Sequence, residues 1–100
     1  MSEKIDSKID VMEFDWNEDK NIILKHERNI GFEDVVNAIN EDKILDVIKH
    51  PNFKKYPKQK LYILEICGYV YMVPFVKEDS KIFLKTIIPS RKMKKIYLKE

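Results

Sequence analysis

Arg91 stands directly after an apolar run ending in Ile87-Ile88-Pro89-Ser90. It opens a stretch, Arg91-Lys92-Met93-Lys94-Lys95-Ile96-Tyr97-Leu98-Lys99, that mixes cations with one tyrosine. A guanidinium held at a strand end can engage a phosphate through two parallel hydrogen bonds; the competing reading is an exposed salt bridge to an acidic helix. Lys60 opens another apolar run beside Lys58, a pair that suits a phosphate clamp across neighbouring strands. Lys85 interrupts the run from Ile82 to Ile88, either as a sheet-face lysine whose stem lies along apolar surface or as a charge aimed at a ligand groove. For each lysine a solvated surface is the competing role, and Tyr97 can equally be core filler.

The charge distribution explains why cations matter here. Residues 1–50 hold 7 Lys+Arg against 13 Asp+Glu, and residues 51–100 hold 12 against 4, so the halves carry −6 and +8 and sum to +2. A positive half favours a polyanionic partner, because neutralising phosphates drives most sequence-independent nucleic-acid affinity; the alternative is a lysine face kept for solubility. Other chemistries find little support. Cys67 is the only cysteine and lies in apolar surroundings that favour a buried, inert thiol, and His26 and His50 are too far apart to complete a zinc ligand set with it. With Gly31 and Gly68 as the only glycines, there is no glycine-rich phosphate loop. The acidic residues Asp15, Glu18, Asp19, Glu27, Glu33 and Asp34 fall on helix starts and exposed faces, a structural placement.

One hundred residues with 44% apolar content suffice for one domain. Residues 1–11 are polar and expected to be flexible, with a single domain over 12–100. Val11 to Phe14 opens as a strand. Asp15-Trp16-Asn17-Glu18 has the spacing of a capping box for a first helix over 16–28, with Asn29 as a left-handed stop and Trp16 as a core anchor. Val35, Val36, Ala38 and Ile39 mark the buried face of a second helix that ends near Asn40. Lys43 to Ile48 is a strand, His50 to Lys58 a loop, and Leu61–Ile66, Tyr69–Val76 and Lys81–Ile88 form an antiparallel meander. Pro74 must lie at an edge or a bulge. Ser90 caps a short helix that docks Met93, Ile96 and Tyr97 and turns Arg91, Lys92, Lys94, Lys95 and Lys99 to solvent. The class is α+β, with helices on one face of a twisted antiparallel sheet. No apolar run reaches membrane-span length and the N-terminus lacks a signal-peptide core, which points to the cytoplasm without a membrane partner.

Three motifs occur in order: Phe14-Asp15-Trp16-Asn17-Glu18-Asp19-Lys20, Ile30-Gly31-Phe32-Glu33-Asp34-Val35, and Lys85-Thr86-Ile87-Ile88-Pro89-Ser90-Arg91-Lys92 before a terminal basic helix. With these the chain resembles BrnT-type toxins, which belong with the RelE-like ribonucleases of bacterial type II toxin-antitoxin modules. The resemblance implies a RelE/BrnT-like fold and a small metal-independent endoribonuclease that uses no cofactor. It also implies a cognate antitoxin protein that holds the enzyme inactive and binds operator DNA. By position Arg91 matches a strand-end arginine, Lys60 a basic residue at a strand start, and Tyr97 an aromatic of the terminal helix. The implied roles are transition-state charge for Arg91, phosphate positioning for Lys60 and Lys85, and base stacking or leaving-group protonation for Tyr97. Lys92, Lys94, Lys95 and Arg28 would contact RNA. Glu27-Arg28-Asn29 replaces the Lys-His-Gly found in many relatives, so no histidine base carries over and Arg28 serves only as a cation. Two further readings remain: a non-catalytic nucleic-acid-binding domain, and a protein-interaction domain whose positive face holds an acidic partner.

Overall fold

A computed structural model describes residues 12–99. The expectations for residues 1–11, including the start of the first strand at Val11, lie outside the described residues. The chain runs β1 (Glu13–Asp15), α1 (Glu18–Arg28), α2 (Phe32–Asn40), β2 (Ile44–Lys49), β3 (Gln59–Ile66), β4 (Tyr69–Glu78), β5 (Lys81–Leu84), β6 (Ile88–Pro89) and α3 (Arg91–Leu98). The architecture is α+β. The strand order is β1-β5-β4-β3-β2, with β6 also on β4.

Helix boundaries follow side-chain chemistry. Asn17 caps α1, its Oδ1 accepting from Lys20 N at 3.0 Å, while Asp15 accepts from Trp16 N; the cap is therefore two residues later than the Asp15-to-Glu18 spacing suggests. Asn29 ends the helix at φ 58°, the left-handed stop that asparagine tolerates. Two residues on, Gly31 N donates to Asp34 Oδ2, and α2 begins. The end of α2 is a Schellman motif: Lys43 N donates to Ala38 O at 2.9 Å, Asp42 N to Ile39 O at 3.2 Å, and Asp42 sits at φ 64°. Ser90 caps α3, its Oγ accepting from Met93 N at 3.1 Å.

Period-two alternation along β3 and β4 divides the core. Tyr62, Leu64, Val73 and Phe75 face α1 and α2 with Leu24, Phe32, Val35, Ile82 and Leu84. Leu61, Ile63 and Val70 face the other way, against Met93, Tyr97 and Leu98 of α3. Helices therefore cover both faces of the sheet, not one. Ile96, expected on the docked side of α3, is 52% exposed, and Leu98 packs instead. On α1 only Leu24 of the trio Ile22, Ile23 and Leu24 is buried; its companion on the inner face is Asn21, fully buried.

The sheet is mixed, because β1 pairs parallel with β5 (Phe14 opposite Ile82) whereas the other pairs are antiparallel. The expected third meander strand is broken. β5 pairs with Phe75 to Glu78 and β6 with Tyr71 and Met72, leaving Lys85, Thr86 and Ile87 opposite only Val73 and Pro74. In an antiparallel strand a residue's N and C=O point to the same side, and Pro74 O accepts from Lys85 N at 2.8 Å, so the donor-less nitrogen of Pro74 faces this break. Proline thus sits in a central strand, opposite the extra residue of an irregular neighbour. Cys67-Gly68, with φ of 51° and 78°, forms the two-residue hairpin turn between β3 and β4. Cys67 is consequently exposed, contrary to the buried thiol its apolar flanks suggest.

Candidate functional site

Strand register decides where the cations go. Lys60 pairs with Phe75 on one side and Lys49 on the other, so all three side chains share the sheet face that carries Tyr62 and Leu64. One step along β4, Lys77 follows Phe75 on the same face and pairs with Ile82. Lys58, Lys60 and Lys77 rim a cleft of about 470 Å³ whose floor includes Val47, Tyr62, Phe75 and Ile82. Among the described residues no carboxylate lines it, and none of the three lysines makes an ion pair. A smaller cleft of about 170 Å³ continues the surface past Lys60 to Lys49, Phe53, Pro57 and Gln59. Phe53 is 49% exposed with the Lys49 ammonium 5.2 Å from its ring centre. Lysines on a sheet face beside an exposed aromatic of the β2–β3 loop suit a nucleic-acid strand, whose phosphates take the charge and whose bases can stack.

Tyr62 lies at the centre of this surface. Its ring stacks on Phe75 at 4.0 Å and 14°, and burial pushes its phenol up, so the hydroxyl stays protonated at neutral pH.

The remaining predicted residues fall elsewhere. Lys85 extends from the break after β5 with its ammonium 5.1 Å from the Phe83 ring, in a hollow shared with Val76 and Glu78 on the opposite side of the sheet from Lys60. Arg91 is the exposed first residue of α3. Tyr97 packs on the α3 face, and its hydroxyl donates to Asp46 Oδ2 at 2.7 Å, a bond that raises its pKa. Lys94 lies 5.3 Å from the Tyr69 ring, Lys92 and Lys95 are exposed on the same helix, and Arg28 ends α1 outside the lining of the lysine cleft. Lys60 therefore does not share a pocket with Lys85, Arg91 and Tyr97; the four divide between two faces. Within the described residues no group of three or more His, Cys, Asp or Glu is placed to hold a metal, and no helix is long and apolar enough to cross a membrane.

Comparison with protein-family models, with curated proteins and with solved structures finds no match. The site thus rests on its own geometry. Lys49, Lys77 and Phe53 are the members that inspection of motifs missed. One of them had a signal: Phe75 and Lys77 keep period-two phase, as Lys58, Lys60 and Tyr62 do on the neighbouring strand, so extending the inward pattern beyond the apolar residues leads to Lys77.

Proposed function

We propose that the chain is a metal-independent endoribonuclease of the toxin kind, working in the cytoplasm and restrained by a cognate antitoxin, with operator DNA reached only through that antitoxin. The observation that carries the RNA-binding half of this reading is the cleft rimmed by Lys58, Lys60 and Lys77, which no carboxylate among the described residues lines. The three-motif resemblance to BrnT-type toxins of the RelE-like superfamily supplies the rest. In the reaction a ribose 2′-oxygen loses its proton and bonds to the adjacent phosphorus. The bond from phosphorus to the 5′-oxygen breaks, and that oxygen takes a proton, leaving a cyclic phosphate and a free 5′-hydroxyl. Lysines beside the phosphate hold the strand in line and offset the charge of the phosphorane.

A non-catalytic nucleic-acid-binding domain is the second reading. It is favoured by the division of cations between the two sheet faces and by the engagement of the Tyr97 hydroxyl with Asp46. Incubating the chain with a labelled RNA in EDTA separates the two. Cleavage to a cyclic phosphate, lost in Lys60→Ala or Arg91→Ala variants that keep their circular dichroism, supports the enzyme and tells which face holds the scissile phosphate. Retained binding with intact RNA supports the second reading. Absence of RNA binding at low salt removes both.

A further inference from the structure

The lysine cleft does not end at Tyr62. A larger hollow of about 650 Å³ between α2 and β1 shares Met12, Tyr62 and Ile82 with it, so the two form one groove across the helical face of the sheet. The two ends differ in chemistry. Beyond Tyr62 the lining turns apolar, with Phe14, Val36 and Ile39, and closes on two polar side chains, Asn40 and Asp42. Both are exposed, and among the described residues neither side chain has a hydrogen-bond or ion-pair partner. Such a space, apolar with a few convergent polar groups and of this volume, has the make-up of a small-molecule site.

We propose that this groove holds one guanosine nucleotide of an RNA strand, its base between Phe14 and Tyr62, its Watson–Crick edge on the Asp42 carboxylate, and its phosphate in the row of Lys58, Lys60 and Lys77, whose other cations take the neighbouring phosphates of the strand. The inference rests on the RNA-binding reading above and assigns its base preference. Charge complementarity selects the occupant. A ligand that is anionic at the lysine end and presents hydrogen-bond donors at the carboxylate end matches both termini of the groove. Guanine alone among the four bases offers two adjacent donors, N1–H and the exocyclic amino group, that a carboxylate can accept in parallel. Adenine presents a ring acceptor beside its amino group, and uracil and cytosine place acceptors on the same edge, so each sets at least one lone pair against the carboxylate. The backbone that carries the acceptor is ordered: Asp42 occupies the left-handed position of the Schellman motif that ends α2, held by the bonds from its own N and from Lys43 N.

The test is calorimetric titration of the full chain with 5′-GMP, 5′-AMP, 5′-CMP, 5′-UMP and inorganic phosphate, repeated on Asp42→Asn and on Lys60→Ala/Lys77→Ala. Asparagine suits the left-handed position, so Asp42→Asn keeps the helix end intact, and its melting temperature checks this. The expected result is a preference for GMP of about tenfold or more, in line with the discrimination that a good bidentate contact to a base provides. Asp42→Asn should abolish the preference while leaving AMP unchanged, and the double lysine variant should weaken all four nucleotides. Equal binding of the four nucleotides, or a guanine preference that survives in Asp42→Asn, overturns the base assignment. If labelled RNA still binds through the lysines in that case, the RNA-binding reading stands without it. No binding of nucleotides, phosphate or RNA at low salt by the folded chain overturns both.

Discussion

The Tyr97 hydroxyl donates to Asp46 Oδ2 at 2.7 Å, tying the terminal helix to the edge strand across 51 residues of sequence. A bulge in β2 makes this possible: the register shifts between Ile44 and Asp46, so Ile44 joins the core beneath α1 and α2 while Leu45 and Ile48 pack toward α3. Tyr97→Phe removes this one bond and leaves the ring packed. A loss of about 1 kcal/mol is expected, because the pair is partly solvated. The raised Tyr97 pKa gives the effect a pH signature. A folded-state value above the ordinary 10.0 means the contribution is complete below pH 10 and disappears as pH rises through the raised value. Melting temperatures of parent and Tyr97→Phe should therefore differ at pH 8 and converge in strong alkali.

Asn21 is the polar keystone of the helical layer. Its Oδ1 accepts from Phe32 N at 2.7 Å and its Nδ2 donates to both Glu33 oxygens at 3.1 and 3.2 Å, locking the start of α2 to the first turn of α1. Asn21→Ala strands a buried backbone N–H, with an expected cost of about 2 kcal/mol. Urea unfolding should show a lower midpoint with an unchanged slope.

Acid sensitivity should follow from the same contact. Asn21 first, then the Glu33 backbone N–H and the Lys25 ammonium at 3.1 Å, hold the Glu33 carboxyl below its ordinary value of 4.5. A depressed folded-state pKa contributes stability that is present above 4.5 and lost as pH falls through the folded value. A carboxyl-detected NMR titration should place Glu33 below 4.5 in the parent and move it upward in Asn21→Ala.

Crowding around Gly31 makes a further prediction. Its backbone is extended, so conformation does not require glycine, but a Cβ there would stand 2.6 Å from Lys25 Cε and 3.0 Å from Asn21 Oδ1. The lysine can swing away; the buried amide cannot without giving up its bond to Phe32. Gly31→Ala should lower the melting temperature by several degrees, corresponding to about 1–2 kcal/mol.

Salt should expose the lysine cleft. If Lys58, Lys60 and Lys77 each neutralise one phosphate of single-stranded RNA, the logarithm of the binding constant should fall with the logarithm of salt at a slope of about −2, and Lys60→Ala should reduce the slope by about 0.7. Fluorescence anisotropy at several salt concentrations reads this directly. Arg91→Ala, on the opposite side of the sheet, should leave the slope contributed by the cleft in place.

Much of the scaffold was legible where a local signal carries a local consequence. Asn29 stops α1, Ser90 caps α3, and the turns between strands lie where small and polar residues interrupt apolar runs. What escaped was decided at a distance. The parallel pairing of β1 with β5 leaves no local trace in Glu13–Asp15, and the burial of Asn21 depends on a backbone N–H eleven residues away. The break at Lys85 is set by Pro74 on the neighbouring strand, and the exposure of Cys67 by a turn conformation that its apolar flanks disguise. For the site, lysines were visible by type but not by face, since faces follow from register. The bulge in β2 and the irregularity opposite Pro74 shift that register without an unmistakable mark in the residues themselves.

The pairing of Glu13–Asp15 with Lys81–Phe83 also governs when the groove can exist. Its walls come from opposite ends of the chain: Met12 and Phe14 precede both helices, whereas Ile82 follows four strands. Contacts of such long sequence separation close late, after the loop entropy of everything between them has been overcome. A nascent chain leaving the ribosome therefore carries Lys58 and Lys60 before it carries the pocket. The groove is completed only once β5 has emerged and received the first strand, so a chain cut short before residue 81 would keep many cations but lack the cavity that gives them a shape to recognise.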